Sequence, residues 1–400
     1  MNQVAVTGMG VVSPIGSGVS AFWSALLGGR HAFRPISHAE GLGGNRLWAA
    51  VPDGFATAAG VTAAMLRNSD RFTAYAMVAA VEALAMAGLA AGPPPRTAVI
   101  LGNTMGGLPL FADAQRELER RPQHVTPKLM ALVIPNMAAA RISLHWGLHG
   151  RQLTVSTACA SSLDAIGLAA RMIESGETEH AIAGGTETLL APVVYQSLDR
   201  ARALSRASDP DTASRPFDVE RDGFVMGDGA ALFLLEHEGS ARKRGARVLA
   251  RVRGYGSLTD AHHPTAPEPG GRYEAEAIRA ALEDAGCEVQ TIFAHATGTV
   301  VGDIAELRAI NAVFGERRPV VTALRGHLGH AMAAAGATSA VAGILGMRAE
   351  VVPHTLGTRK VEPEAGFDVV LGEPRRRAYA EFSVNAFGFG GQNASLVLSA

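Results

Sequence analysis

The sequence predicts an α/β fold in which a mostly parallel sheet is covered by helices on both faces, and it predicts that unit twice in one chain. Three observations carry this. Short apolar or β-branched runs alternate with longer helix-compatible runs from end to end, which requires crossover connections. Several strand-type runs lead into glycine-rich or reactive segments, such as Gly102-Asn-Thr-Met-Gly-Gly107 and His295-Ala-Thr-Gly-Thr299, where α/β sheets gather ligands. The rhythm of residues 1–247 recurs in residues 248–400, giving an N-terminal and a C-terminal half.

The elements follow in order. Val4-Ala-Val-Thr7 reads as a strand entering a glycine-rich turn over 8–16, then a helix over 19–27. The glycine spacing is not GxGxxG and Pro14 interrupts the helix start, so no dinucleotide site is expected. A long helical pattern over 62–90 stops at Gly88 and Gly92-Pro-Pro-Pro95. Thr97-Ala-Val-Ile-Leu101 is a buried strand, followed by helices over 112–121 and 135–145. Val155-Ser-Thr-Ala-Cys159-Ala-Ser-Ser162 is an extended segment turning into a helix over 163–173, and Ala181-Ile-Ala-Gly-Gly185-Thr-Glu187 is a strand entering a glycine turn. The second half repeats the pattern: helix 272–285, strand 291–294, a polar helix from Asp303, strand 320–322 and helix 331–349.

Composition sets limits. The chain has 400 residues, 48% hydrophobic and 18% charged, enough for a large core. A formal net charge of −1 gives no general pull toward nucleic acid or membrane, and neither is expected as a partner. Two cysteines, Cys159 and Cys287, give no disulfide framework, and the opening strand has no basic or cleavable apolar segment before it, so a cytoplasmic location is expected. The alanine-rich runs 73–91 and 331–347 read as buried helices rather than membrane spans.

Cys159 is the candidate nucleophile. A thiol at a strand-to-helix junction meets unpaired N–H groups and partial positive charge, so a lowered pKa is expected. A thiolate with two histidines is what an acyl-transfer condensation requires. The thiolate holds the acyl group as a thioester, and decarboxylation of a malonyl thioester makes an enolate whose oxyanion needs two donors, which neutral imidazoles supply. His295 follows one strand; His327 and His330 in Arg325-Gly-His-Leu-Gly-His330 follow another, and spacing does not separate them. A metal centre from these histidines lacks a carboxylate or second cysteine at ligand spacing, and none is expected.

These segments, with Asn385-Ala-Phe-Gly-Phe-Gly-Gly391, Val6-Thr-Gly-Met-Gly10, Arg215-Pro-Phe-Asp218, Asp222-Gly-Phe-Val-Met-Gly-Asp-Gly229 and Asp260-Ala-His-His-Pro-Thr265, resemble the β-ketoacyl-acyl carrier protein synthases, nearest to the elongating synthase I/II group, over essentially the whole chain. The resemblance implies a thiolase-like fold of duplicated βαβαβαββ halves in a five-layer αβαβα arrangement. It implies decarboxylative Claisen condensation with malonyl-acyl carrier protein, in fatty-acid or type II polyketide or polyene elongation. Because Gly329-His330-Ala-Met-Ala-Ala-Ala-Gly336 fits the family register, it favours His330 and a triad of Cys159, His295 and His330. It further implies support from Asp303, Glu306 and Arg325, pantetheine and malonyl contacts at Thr265, Thr297 and Thr299, a gate at Phe387 and Phe389, and an acyl tunnel lined by Met105, Leu108, Leu110 and Phe111. No cofactor is implied, because the substrates ride on the 4'-phosphopantetheine of acyl carrier protein. The implied partners are that carrier and a second subunit, either the same chain or a chain-length-factor-like one.

Three positions depart from the family pattern. Arginine stands at 325 in place of lysine; it can keep an ion pair to Glu306 but cannot exchange a proton. Ala296 and Gln392 point to a specialised synthase. Two arginine pairs at i, i+4 spacing, Arg67 with Arg71 and Arg202 with Arg206, are the basic residues expected to meet an acidic carrier. Two other readings stand beside the enzyme. One is a silent chain-length-determining subunit, which would lack the nucleophile; the other is a CoA-dependent thiolase or priming synthase, of which the thiolase pattern replaces one histidine with a second cysteine, whereas Cys287 lies outside any matching motif.

Overall fold

The computed structural model describes residues 3–36, 48–55 and 60–400. Its frame is two sets of five strands. The first comprises β1 (Val4–Ser13), β2 (Ala98–Gly102), β3 (Gln152–Val155), β4 (His180–Glu187) and β5 (Gly229–His237). The second comprises β6 (Ala250–Thr259), β7 (Thr291–Phe293), β8 (Val320–Thr322), β9 (Glu381–Gly388) and β10 (Gln392–Ser399). Helices α1 (Arg71–Met86), α2 (Met137–Trp146) and α3 (Ser161–Glu174) connect the first set, and α4 (Arg272–Ala285), α5 (Val300–Phe314) and α6 (Ala335–Ala349) the second.

The spatial order is β1-β5-β4-β2-β3 in one half and β6-β10-β9-β7-β8 in the other, identical when counted within each half. In both, the fifth strand runs antiparallel to its two neighbours, while the second strand runs parallel to its own. β1 pairs with β6 over Val4–Val6 and joins the two sheets.

Strands buried on both faces must be apolar on both. Along β5, Phe233 and Leu235 enter the central apolar layer while Leu232 and Leu234 enter an outer one, and β2 divides Ile100 from Leu101 in the same way. Helices α3 and α6 pack together in the central layer against strands of both halves. α1 and α2 cover one outer face, α4 and α5 the other. This is the five-layer thiolase-like arrangement.

Local readings differ in four places, one of them at Gly184 and Gly185, which form no turn because β4 runs through them to Glu187. The glycines after Thr7 do not form a turn: β1 continues to Ser13, because α1 lies directly upon it. A Cβ on Gly8 would stand 2.0 Å from the Ala83 carbonyl oxygen, and one on Gly10 2.1 Å from that of Ala79. The helical pattern over 62–90 breaks between a short helix, Ala63–Leu66, and α1. The run from 331 opens with a 3-10 turn, Met332–Ala334, before α6; although apolar enough to cross a membrane by composition, it is packed between the sheets.

Candidate active site

Cys159 sits in the 3-10 turn Ala158–Ala160 between β3 and α3, and Ala158 adopts the left-handed region at φ 48°. Alanine is uncommon there. Side chains hold the turn: the Ser161 hydroxyl donates to the Ala158 carbonyl at 2.6 Å and accepts the Thr157 N–H at 2.9 Å, while the Thr157 hydroxyl donates to Asp164. The backbone N–H groups of Cys159 and Phe389 are both turned toward the sulfur.

His330 is held by the loop over 222–229. Its N–H donates to the Val225 carbonyl at 2.7 Å, and its own carbonyl accepts the Gly227 N–H at 3.0 Å. The ring Nε2 lies 2.9 Å from Cys159 Sγ, with the rings of Phe224 and His295 edge-on at centroid separations of 5.4 and 5.2 Å. His295 follows β7, where Glu306 accepts the N–H groups of His295 at 2.9 Å and Ala296 at 2.6 Å. Asp303 accepts from Gly298 at 3.0 Å and Phe217 at 2.7 Å, so two buried carboxylates clamp the backbone of 295–298. The sulfur and one nitrogen of each histidine lie within 4.8 Å of one another.

Burial decides the protonation states. It pushes the Cys159 thiol up to about 12, against the charge of Arg325 and the two amides. The expected thiolate is therefore not the resting form, because the dryness of the site outweighs the helix N-terminus. Burial likewise holds His295 and His330 well below the usual imidazole range, reinforced by Arg325 at both and by His295 at His330. Both are neutral at pH 7.

Arg325 is only 1% exposed, and its Nε and Nη2 have no hydrogen-bond acceptor among the described residues. The expected ion pair to Glu306 is not formed among the described residues: the Glu306 carboxylate is taken by two amides and by Asn385 Nδ2 at 3.2 Å. Burial lowers the Arg325 pKa to about 10, which leaves its charge in place at neutral pH. His327 faces away from the sulfur, with ring nitrogens 3.0 and 2.9 Å from the carbonyl oxygens of Arg30 and His354.

The remaining expected residues divide. Phe387 packs against the His295 ring at 6.1 Å between centroids, and Phe389 is 45% exposed at the rim. Thr297 is buried, with its hydroxyl 3.2 Å from that of Thr299, whereas Thr265 is exposed on a loop whose Pro264 carbonyl accepts the Gly390 N–H at 2.8 Å. Of the tunnel residues, Leu108 alone packs on the apolar cluster around Cys159; Leu110 is half-buried outside it, and Met105 and Phe111 are exposed. That cluster consists instead of Leu189, Tyr195, Leu204, Phe224, Met226 and Met332, none of which the sequence singled out as lining. The arginine pairs do not share helix faces. Arg67 ends the short helix before α1, and Arg71 bonds the Tyr75 hydroxyl at 2.7 Å. Arg202 lies past the helix Pro192–Arg200 at φ 56°, and Arg206 pairs with Asp199 at 3.0 Å.

Known proteins share this architecture. The family model for the beta-ketoacyl synthase N-terminal domain matches residues 1–241, and that for the C-terminal domain matches 249–359. The 3-oxoacyl-[acyl-carrier-protein] synthase 2 of Vibrio cholerae is 36% identical over 99% of this chain and 98% of its own length, and that of Staphylococcus aureus is 35% identical over 99% and 97%. A beta-ketoacyl synthase from Burkholderia phymatum superposes with a TM-score of 0.92 at 34% identity, covering 100% of this chain and 99% of that one. The ishigamide ketosynthase/chain length factor does so with a TM-score of 0.91 at 33% identity, with the same coverage. The chain therefore belongs to the beta-ketoacyl synthase family and is a condensing acyltransferase.

Proposed function

We propose that the chain takes an acyl group from acyl carrier protein onto Cys159 and condenses it with the enolate formed from malonyl-acyl carrier protein, extending a fatty-acid or polyketide chain. The observation that carries this is the 2.9 Å contact between Cys159 Sγ and a buried, neutral His330 Nε2, with His295 beside it. As the sulfur attacks the acyl thioester, its proton passes to His330 Nε2, and the tetrahedral oxyanion is met by the N–H groups of Cys159 and Phe389. The carrier thiolate departs and takes a proton from solvent. Burial disfavours a lone imidazolium on His330, and the incoming malonyl carboxylate supplies its countercharge.

Loss of CO2 then leaves the electron pair on the enolate, whose oxygen accepts from His295 and His330. The enolate carbon attacks the enzyme-bound thioester, the carbon–sulfur bond breaks, and the Cys159 thiolate recovers its proton from His330. Thr297 and Thr299, beside His295, hold the malonyl arm, and Thr265 meets pantetheine at the rim. The gate is Phe389, whose loop turns on Gly390 and Gly391 at φ 80° and 72°. Arg67, Arg71, Arg202 and Arg206 are all exposed and are the cations offered to an acidic carrier, with Arg71 held by Tyr75 and Arg206 by Asp199. Among the described residues β3 pairs only with β2, so its free edge is where a second subunit adds its own sheet. Two free cysteines fit a reducing cytoplasm.

Intact-protein mass spectrometry after incubation with acyl-acyl carrier protein tests the proposal. An acyl adduct that disappears in Cys159→Ala is expected. No adduct with any acyl donor would turn the assignment to a silent chain-length subunit.

A further inference from the structure

Tyr255 lies on β6, the first strand of the second half, yet reaches the helix behind the nucleophile. Its hydroxyl donates to Asp164 Oδ1 at 2.6 Å, and Asp164, 3% exposed, sits in the first turn of α3. The other Asp164 oxygen accepts the Thr157 hydroxyl. The Thr157 carbonyl in turn accepts the Ala160 N–H at 3.0 Å, closing the turn that carries Cys159. One turn along α3, Gly167 leaves room for the tyrosine ring, which a Cβ would approach to 2.4 Å. One turn further, Arg171 pairs at 2.7 Å with Asp284, which also accepts the Tyr255 N–H at 2.9 Å. Asp164, Gly167 and Arg171 share one helix face, so a single tyrosine of the second half is seated along it.

We infer that Tyr255 is a positioning residue for the nucleophile: through Asp164 and Thr157 it fixes the turn that holds Cys159 Sγ against His330. The inference rests on the reading of Cys159 as the acyl acceptor. A left-handed alanine persists only where its surroundings over-determine it. Here Ser161 fixes one side of Ala158, and the Tyr255-Asp164-Thr157 chain fixes the other. Without the phenol, Asp164 keeps only Thr157 as a side-chain donor among the described residues, and the turn is free to shift. Acylation then slows, because attack depends on the approach of sulfur to Nε2. Decarboxylation does not, because His295 and its Glu306 clamp belong to the second half and do not involve the turn.

The test compares the two partial reactions in the full chain. Tyr255→Phe is expected to slow single-turnover acylation by acyl-acyl carrier protein on the order of 10–100-fold, as a displacement of about 1 Å does. In a Cys159→Ala background, the same substitution is expected to leave malonyl-carrier decarboxylation unchanged. Thr157→Val should reproduce the acylation defect, Thr157→Ser should rescue it, and Tyr255→Phe with Thr157→Val together should be no slower than the slower single variant. Equal slowing of both partial reactions, or a lower thermal midpoint with unchanged acylation, would overturn the inference in favour of a structural role. A chain that forms no adduct even with Tyr255 intact overturns the proposed function itself, a different result from an adduct whose rate ignores the phenol.

Discussion

In the first half the turn Ala158–Ala160 leads into α3 with Ala158 at φ 48°; in the second, Met332–Ala334 leads into α6 with Met332 at φ 43°. Cys159 occupies in one the place that Ala333 occupies in the other. The two turns touch, and each is met by the fourth strand of the opposite half, β9 against the first and β4 against the second. β9 ends in Gly388, where a Cβ would stand 2.8 Å from the Cys159 nitrogen. β4 ends in Glu187, whose carboxylate accepts the Ala333 N–H together with Asn103 Nδ2 at 3.3 Å, the Thr104 N–H at 3.1 Å and the Thr104 hydroxyl. The same backbone geometry thus binds the chain's own anion in one copy and stands open to a substrate oxyanion in the other. An anion-binding turn becomes an acyl-transfer site when a thiol is placed on it, a histidine is set beside it and the opposing strand ends without a side chain.

The sharpest way to break this comparison is to move the thiol. Cys159→Ala should abolish the acyl adduct, and Ala333→Cys in that background should not restore it, because the Glu187 carboxylate already occupies the amide. Loss of one such donor alone costs on the order of 10²–10³ in rate. Intact mass measurement decides it: an adduct on the second turn would show that the backbone suffices and that Gly388 and His330 do not matter.

Much of this pair of turns was legible in the sequence, and the reasons for the remainder are physical. The strand-to-helix junction at Cys159 and its echo before α6 are local patterns of β-branched and small residues. The choice between His327 and His330 is not local, because it depends on the Arg30 and His354 carbonyls that engage His327. Gly8 and Gly10 look like a turn until the carbonyls of α1 are known to lie on them. The apolar lining at Leu189, Leu204 and Phe224 comes from loop segments with no periodicity and Tyr195 from the short helix Pro192–Arg200, whereas Met105 and Phe111, apolar and close to a glycine turn, face outward. The expected pairing of Arg325 with Glu306 follows from the resemblance, in which an acidic partner holds this position; in the structure the Glu306 carboxylate is taken by two amides and Asn385.

The next test concerns what separates the first turn electrically from the second. His330 and His295 are held neutral chiefly by burial and further by Arg325. Single-turnover acylation should therefore be flat from about pH 6 to 8, with its acid limb below the ordinary imidazole value of about 6.5. Arg325→Met removes the charge that depresses both imidazoles, so their pKa values rise. More His330 is then protonated at pH 6, and protonated His330 cannot accept the thiol proton. The acid limb should move upward while the rate at pH 8 falls less. Because burial is the larger cause, the limb should stop short of 6.5, and an unmoved limb would mean that the Arg325 charge does not reach the histidines.

The smallest effect belongs to the occupied turn. Glu187 is wholly buried, and burial raises its pKa to about 7 despite its hydrogen bonds. Glu187→Gln leaves one acceptor oxygen and an NH2 group among the donors that hold the carboxylate, and should cost about 1–3 kcal/mol in denaturant unfolding at pH 8, where Glu187 is ionised, and more at pH 5. The sign of the pH dependence follows from linkage. Between the unfolded value of about 4.5 and the folded value of about 7 the native chain binds the extra proton, so this carboxylate lets stability fall as pH rises. Glutamine has no such proton, and the stability difference between the two proteins should narrow from pH 5 to pH 7. Cys159 alkylation should be unchanged or slightly faster, since the Glu187 charge raises the thiol pKa from a distance. A large loss of acylation with no change in stability would place Glu187 in the reacting site and undo the division of labour between the two turns.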